Sequence, residues 1–250
     1  MQNGNFLRNI RIIMKRELAG YFGSPVAYVF IVIFLLLTGF FTFYISGFFE
    51  GGQADLKGFF QWHPWLFMFL VPAVAMRLWA EERRLGTIEL LLTLPVTVLD
   101  VVLGKFLAAW LFIGIALALT FPLVLTVIYL GNPDMGVIAC AYLGSFLMAG
   151  TFLSVGSMTS ALTRSQVVSF ILAVVACLFL ILAGFAPVTA VISGWAPAWL
   201  VDLVSSTSVL SHFASISRGV IDLRDLVYYF SVMAFMIVVN GVILQNRESA

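Results

Sequence analysis

Few residues in this chain are of a type that does acid–base chemistry, and they lie far apart. Glu81 and Glu82 are adjacent carboxylates, and the only imidazoles are His63 and His212. A carboxylate and a histidine can together activate water, provided both come within hydrogen-bond reach of one substrate. Nucleotide chemistry would ask for a phosphate loop of the form G-x-x-x-x-G-K-[ST]. Gly104-Lys105 is followed by Phe106, and Leu99 stands where the first glycine belongs, so the pattern is not met. Cys140 and Cys177 each sit inside a long apolar run, which suits helix packing and not a disulfide framework or a metal cluster. No catalytic residue, metal ligand or bound cofactor is expected on this chain.

The elements that position these groups belong to a membrane protein. Of 250 residues, 62% are hydrophobic and only 10% charged, at a mean hydropathy of +1.08. A soluble domain is nearer half apolar and a quarter charged. Lys and Arg number 13 against 12 Asp and Glu, a net charge of +1, so there is no basic field and nucleic acid is not an expected partner. A bilayer core needs roughly 20 apolar residues at about 1.5 Å rise each. Apolar windows of that length, charge-free except for Arg77 near the inner end of the second, predict six spans, near 26–49, 59–80, 106–130, 137–162, 166–187 and 226–244. The first is too long for a signal core and no small-residue cleavage site follows it, so it reads as an uncleaved span.

Lys and Arg near the span ends set the orientation. With the N-terminus inside, Arg8, Arg11, Lys15, Arg16, Arg77, Arg83, Arg84, Lys105, Arg164 and Arg247 are cytoplasmic, against Lys57, Arg218 and Arg224 outside. Trp62, Trp65, Trp195 and Trp199 then fall at the outer interface and Trp79 and Trp110 near the inner one, as aromatic belts. Residues 188–210 are long enough to cross, yet they carry Pro197, Asp202 and a hydroxyl run over 205–208, which is costly against lipid. They are expected to open a partly embedded external hairpin over 188–225. A seventh crossing is compatible with the charge count and would move the C-terminus outside. The expected fold is therefore all-α: one transmembrane domain over 1–250, six transmembrane helices, both termini cytoplasmic. No ionisable residue can be placed at mid-span, which disfavours ion-coupled transport. Small or hydroxyl residues at spacing four, among them Ser145/Ala149, Gly150/Ser154, Gly156/Ser160 and Ser157/Ala161, suit close helix packing.

The polar residues gather in two stretches. Between the second and third spans the chain reads E-E-R-R-L-G-T-I-E-L-L-L-T-L-P over 81–95. Arg77, Glu81 and Arg84 share one helical face, which carries the second span's helix into the cytoplasm. Gly86 permits a sharp turn, and Thr87 to Leu94 is apolar on most sides with Glu89 as its one charge, which suits an element pressed against protein or headgroups. Pro95 ends it, and Thr97 with Asp100 has capping-box spacing. The second stretch, 5–22, is an interfacial amphipathic helix. Phe6, Leu7, Ile10, Ile13, Met14, Leu18 and Tyr21 occupy one arc, and Arg8, Arg11, Lys15 and Arg16 the other side. Glu17 falls inside the apolar arc. It either snorkels to water or meets a cation such as Arg83 or Arg84.

This order of elements resembles the permease subunit of type-2 ABC transporters over nearly the whole chain. The carriers are the amphipathic N-terminal helix, the E-E-R-R-L-G-T-I-E-L-L-L-T-L-P loop and V-L-G-K entering the third span. Sequence such as 69–82 and 217–222 looks closest to the bacterial gliding-motility-associated and copper-site-maturation permeases. The resemblance implies a coupling helix over 86–95, contacting a separate ATP-binding subunit through Glu81, Glu82, Arg83, Arg84, Gly86, Thr87, Glu89, Leu90 and Pro95. It implies two permease copies, or a permease and a paralogue, around one path in the cytoplasmic membrane, with ATP and Mg on the partner. Export is implied by the family alone. Asp202, His212, Arg218, Asp222 and Arg224 are expected to form an external gate or a docking surface for an extracytoplasmic partner, and a solvated loop would carry the same charges. Two rival classes stand beside this reading. An intramembrane protease resembling the glutamate-dependent prenyl-protein enzymes would want E-E-x-x-x-R, but position 86 is Gly and both histidines are expected a membrane away. A non-transporting scaffold could also carry such a loop.

Overall fold

The computed structural model describes residues 3–52, 54–86, 96–194 and 196–248. Among these the chain is helical, with no strand. Helix α1 (Asn3–Phe22) precedes α2 (Pro25–Phe40), which runs on through a π-turn (Phe41–Ile45). Then come α3 (Lys57–Ala75), α4 (Arg77–Leu85), α5 (Val98–Ala118), α6 (Phe121–Leu130) and α7 (Met135–Leu162). The chain closes with α8 (Gln166–Leu182), α9 (Ala186–Ser193), α10 (Ala198–Ser206), α11 (Val209–Ile216) and α12 (Leu223–Glu248). Pro25–Ile45, Lys57–Leu85, Val98–Leu130, Met135–Leu162 and Leu223–Asn246 are each long and apolar enough to cross a bilayer. The bent pair α8–α9 makes a sixth if it counts as one span.

Local sequence sets the helix ends. The Ser24 hydroxyl accepts from the Val26 amide ahead of Pro25, and Asp134 Oδ1 accepts from Gly136 and Val137. The capping box at Thr97 and Asp100 forms as its spacing predicts, which starts the third crossing at Val98, earlier than residue 106. The fifth crossing departs more from expectation. Its helix stops at Leu182 and turns by 68° into α9, where Pro187 sits in the first turn. Residues 188–210 fall on α9, α10 and the start of α11, none of them long enough to cross a bilayer, so among the described residues they form no continuous seventh span.

Helix α7 is the centre. It packs against α3, α4, α5, α8, α11 and α12, and 61% of its apolar window is buried, against 22% for α2 and for α12. Its small residues make that possible. A Cβ on Gly156 would come within 2.5 Å of Ala75 Cβ, and one on Gly150 within 2.8 Å of the Trp110 ring. Trp79 is consequently interior, where an inner belt was expected, and Trp110 is half-buried. Trp79 is buried, and the Trp110 indole donates to the Phe146 carbonyl at 2.8 Å while stacking on the Phe146 ring.

His63 is also interior. It is fully buried on α3 among the rings of Phe34, Phe59, Phe60 and Phe67. Ser145 spends its proton on the Ala141 carbonyl, so the 2.8 Å contact from His63 Nδ1 puts the imidazole proton on that nitrogen.

Candidate functional site

The site is built where α1, α4 and α5 meet. Helix α1 lies along α5, with Ile10 buried, Ile13 against Gly104 and Tyr21 stacked on Phe112 at 5.0 Å. A Cβ at Gly104 would come within 2.7 Å of Ile13 Cγ2, so this contact needs glycine. Burial, and then the Glu17 carboxylate, push the Tyr21 phenol up, which keeps it neutral. Asn9 Nδ2 donates to Asp100 Oδ2 at 3.2 Å, a second tie between α1 and α5. Arg8, Arg11, Lys15 and Arg16 face outward on the opposite side of α1.

At the centre of the junction is Lys105, only 4% exposed. Its Nζ lies 2.6 Å from Glu82 Oε1 on α4 and 3.4 Å from Glu17 Oε2 on α1, and 5.4 Å from the centre of the Trp79 ring. A buried ammonium needs such partners, and here one cation holds three helices. The cation that meets Glu17 is thus Lys105, and neither Arg83 nor Arg84 takes that place. Arg83 turns instead to the Ala161 carbonyl at the end of α7 through Nη1, while Arg84 is exposed. Arg77 Nε pairs with Glu81 Oε2 at 3.4 Å, one turn along α4.

Helix α4 is fastened to α7 by hydroxyls. Its N-cap residue Met76 offers no side-chain acceptor. Ser160 of α7 takes that role: its Oγ accepts from the amides of Trp79 and Ala80 at 3.1 and 3.0 Å and donates to the Met76 carbonyl at 3.0 Å. Ser157 accepts from Trp79 Nε1 at 3.1 Å and from Asn240 Nδ2 of α12 at 2.7 Å. Small residues that spacing marks only as packing sites therefore also carry the hydrogen bonds that hold α4. The pattern of hydroxyls one turn apart on α7 was the available signal, and their partners were not.

Gly86 ends α4 in the left-handed conformation, φ 71°, where glycine is favoured, and its amide returns to the Glu82 carbonyl. Thr87, Glu89, Leu90 and Pro95, the core of the expected coupling helix, lie outside the described residues.

At the other end of the bundle, Asp202, Arg218, Asp222 and Arg224 are exposed. His212 does not join them as a docking residue. It is buried on α11, with Nδ1 2.6 Å from Asp225 Oδ1, Nε2 3.0 Å from the Ser206 carbonyl and its ring stacked on Tyr228 at 4.0 Å. Helix α11 packs on α7, α8 and α12 through Val209, Phe213 and Ile216, so this part of the expected hairpin is core.

No curated protein matches the chain. Residues 12–244 match a family model described as ABC-2 family transporter protein. That match takes in nearly every helix described above, and on it the chain belongs to the ABC-2 transporter family, as the multi-pass membrane permease component of an ABC transporter and not as its catalytic part.

Proposed function

We propose that this chain is the permease of an ATP-driven exporter of the bacterial cytoplasmic membrane, working as a pair of permease copies or paralogues with a separate ATP-binding subunit. ATP and Mg act on that partner, and the segment after Gly86 seats in it. By its motifs the chain sits in the branch that resembles gliding-motility-associated and copper-site-maturation permeases. Exposed Asp202, Arg218, Asp222 and Arg224 offer an extracytoplasmic partner a charged surface.

The observation that carries the coupling role is the anchoring of α4. This helix leads directly into residues 87–95, and it is tied to α1 and α5 through Glu82 and Lys105 and to α7 through Trp79, Arg83 and Ser160. A push on the loop would reach the interfacial helix α1 and helices of two other crossings, α5 and α7, as a two-state element driven from a second polypeptide requires. The test is a reconstituted complex with its ATP-binding subunit. Thr87→Ala and Glu89→Ala should lower coupled ATPase activity by roughly three- to tenfold while insertion and pairing persist. Undiminished ATPase activity in both variants would remove the coupling assignment and favour a scaffold.

A further inference from the structure

A cavity of about 530 Å³ opens beside the Lys105 junction, walled by α1, α2 and the α3–α4 break, with α5 as its floor. Its two ends differ in kind. One is polar, formed by Glu17, Arg77, Glu81, Glu82 and Lys105. The other is apolar, formed by Val29, Ile33 and Leu70. Val29 and Ile33 line the cavity and are also 55% and 43% exposed on the bilayer-facing side of α2, so the apolar end opens sideways into lipid. From Ser24 to Ile33 the wall runs along about two and a half helical turns, roughly 13 Å. That length holds a headgroup and the first part of an acyl chain.

The charges select the headgroup. The polar end has two cations, Arg77 and Lys105, and three carboxylates, Glu17, Glu81 and Glu82, a balance of 2 − 3 = −1. Lys105 is consumed by Glu17 and Glu82. Arg77 uses Nε for Glu81, which leaves its terminal guanidinium nitrogens without a partner among the described residues, and Glu81 keeps its Oε1. A phosphate can be met by those nitrogens and an ammonium by the carboxylates, whereas a head with net negative charge is repelled.

We infer that this cavity is a binding site for an amine-headed bilayer amphiphile, phosphatidylethanolamine in its simplest form, with phosphate on Arg77, ammonium on Glu81 and one acyl chain between α2 and α3. The site is formed by this chain alone, so it stands or falls independently of ATP coupling.

The full-length chain, purified in mild detergent, is mixed with equal amounts of phosphatidylethanolamine and phosphatidylglycerol of matched acyl chains. Native mass spectrometry then reads the ratio of single-lipid adducts. The amine lipid should lead by about fivefold. Glu81→Lys turns the local balance to +1 and should invert the order. Ile33→Trp fills the apolar arm and should strip both lipids to near background. Glu81 is a half-exposed surface residue, so its variant reports even if Ile33→Trp fails to fold. Equal adducts in the unmodified chain, or an amine preference that survives Glu81→Lys, would overturn the site and reduce the cavity to a crevice filled by any lipid.

Discussion

Lys105 is an ammonium that has left water, and what replaces water is two carboxylates and an indole face. Removing it would take away the cation that Glu17 and Glu82 share. A buried pair broken from one side costs about 3–5 kcal/mol, and since these carboxylates are 25% and 21% exposed the loss should sit at the low end. Lys105→Met is expected to lower the thermal midpoint of the purified chain by several degrees, and adding Glu82→Leu should return part of it. A single variant as stable as the parent would show that the cluster contributes nothing to the fold. This residue also marks how far sequence reaches. A carboxylate inside the apolar arc of α1 is wasteful against lipid, so the sequence leaves it either to snorkel to water or to meet a cation. Which cation it meets depends on how α1 lies against α5, a tertiary fact that periodicity does not encode, and so the arginines nearest in the loop were the natural but mistaken expectation. His212 follows the same logic. Its burial comes from the packing of α11 through Val209, Phe213 and Ile216, and the polar residues around it in sequence read as a solvated loop.

At the scale of elements, the junction of α3 and α4 governs how the second crossing leaves the bundle. The sequence shows where a break can occur, since Pro72 removes a ladder donor one turn before Met76. It does not show what holds the far side, because the cap is supplied by another helix. Ser160 satisfies two amides and one carbonyl in an apolar surrounding, and loss of a helix cap costs about 0.5–2 kcal/mol. Ser160→Ala should therefore destabilise the chain by about 1–2 kcal/mol and speed hydrogen exchange at the Trp79 and Ala80 amides, with Ser160→Thr keeping much of both. Protection at those amides unchanged in the alanine variant would mean that α4 is capped from within. Gly156 tests the same contact by volume. With Ala75 Cβ 2.5 Å from where its own Cβ would be, Gly156→Leu must drive α3 and α7 apart, and the tie from Ser160 to α4 should be lost with it. The helix spans themselves were legible because charge-free length is a bilayer requirement. Their ends moved by several residues wherever a cap or a proline acted, as at Thr97 and Pro187.

Over the whole molecule, contacts divide the polar residues between two ends of the bundle. Asn9 meets Asp100, Glu17 and Glu82 meet Lys105, Arg83 meets Ala161, and Gly241 of α12 lies against Leu99, so α1 and the last turns of α12 belong to this end. Asp55, Lys57, Asp134 and Arg218 line one cavity of about 570 Å³ at the opposite end. Both ends on one side go with an even number of crossings, which is the expected six when the bent pair α8–α9 is counted as one span. On the Lys and Arg count, ten against three with the N-terminus inside, the expectation is that the first end is cytoplasmic. Single-cysteine labelling in a background lacking Cys140 and Cys177 decides this directly. Asp134→Cys and Arg218→Cys should react with a membrane-impermeant maleimide on intact spheroplasts. Arg84→Cys and Arg16→Cys should react only after permeabilisation. If both sets exchanged places, the bundle would be inverted and the segment after Gly86 would face away from any cytoplasmic ATP-binding subunit. If Asp134→Cys and Arg218→Cys reported from opposite faces, α8 and α9 would not form one broken crossing, and the even count itself would fail.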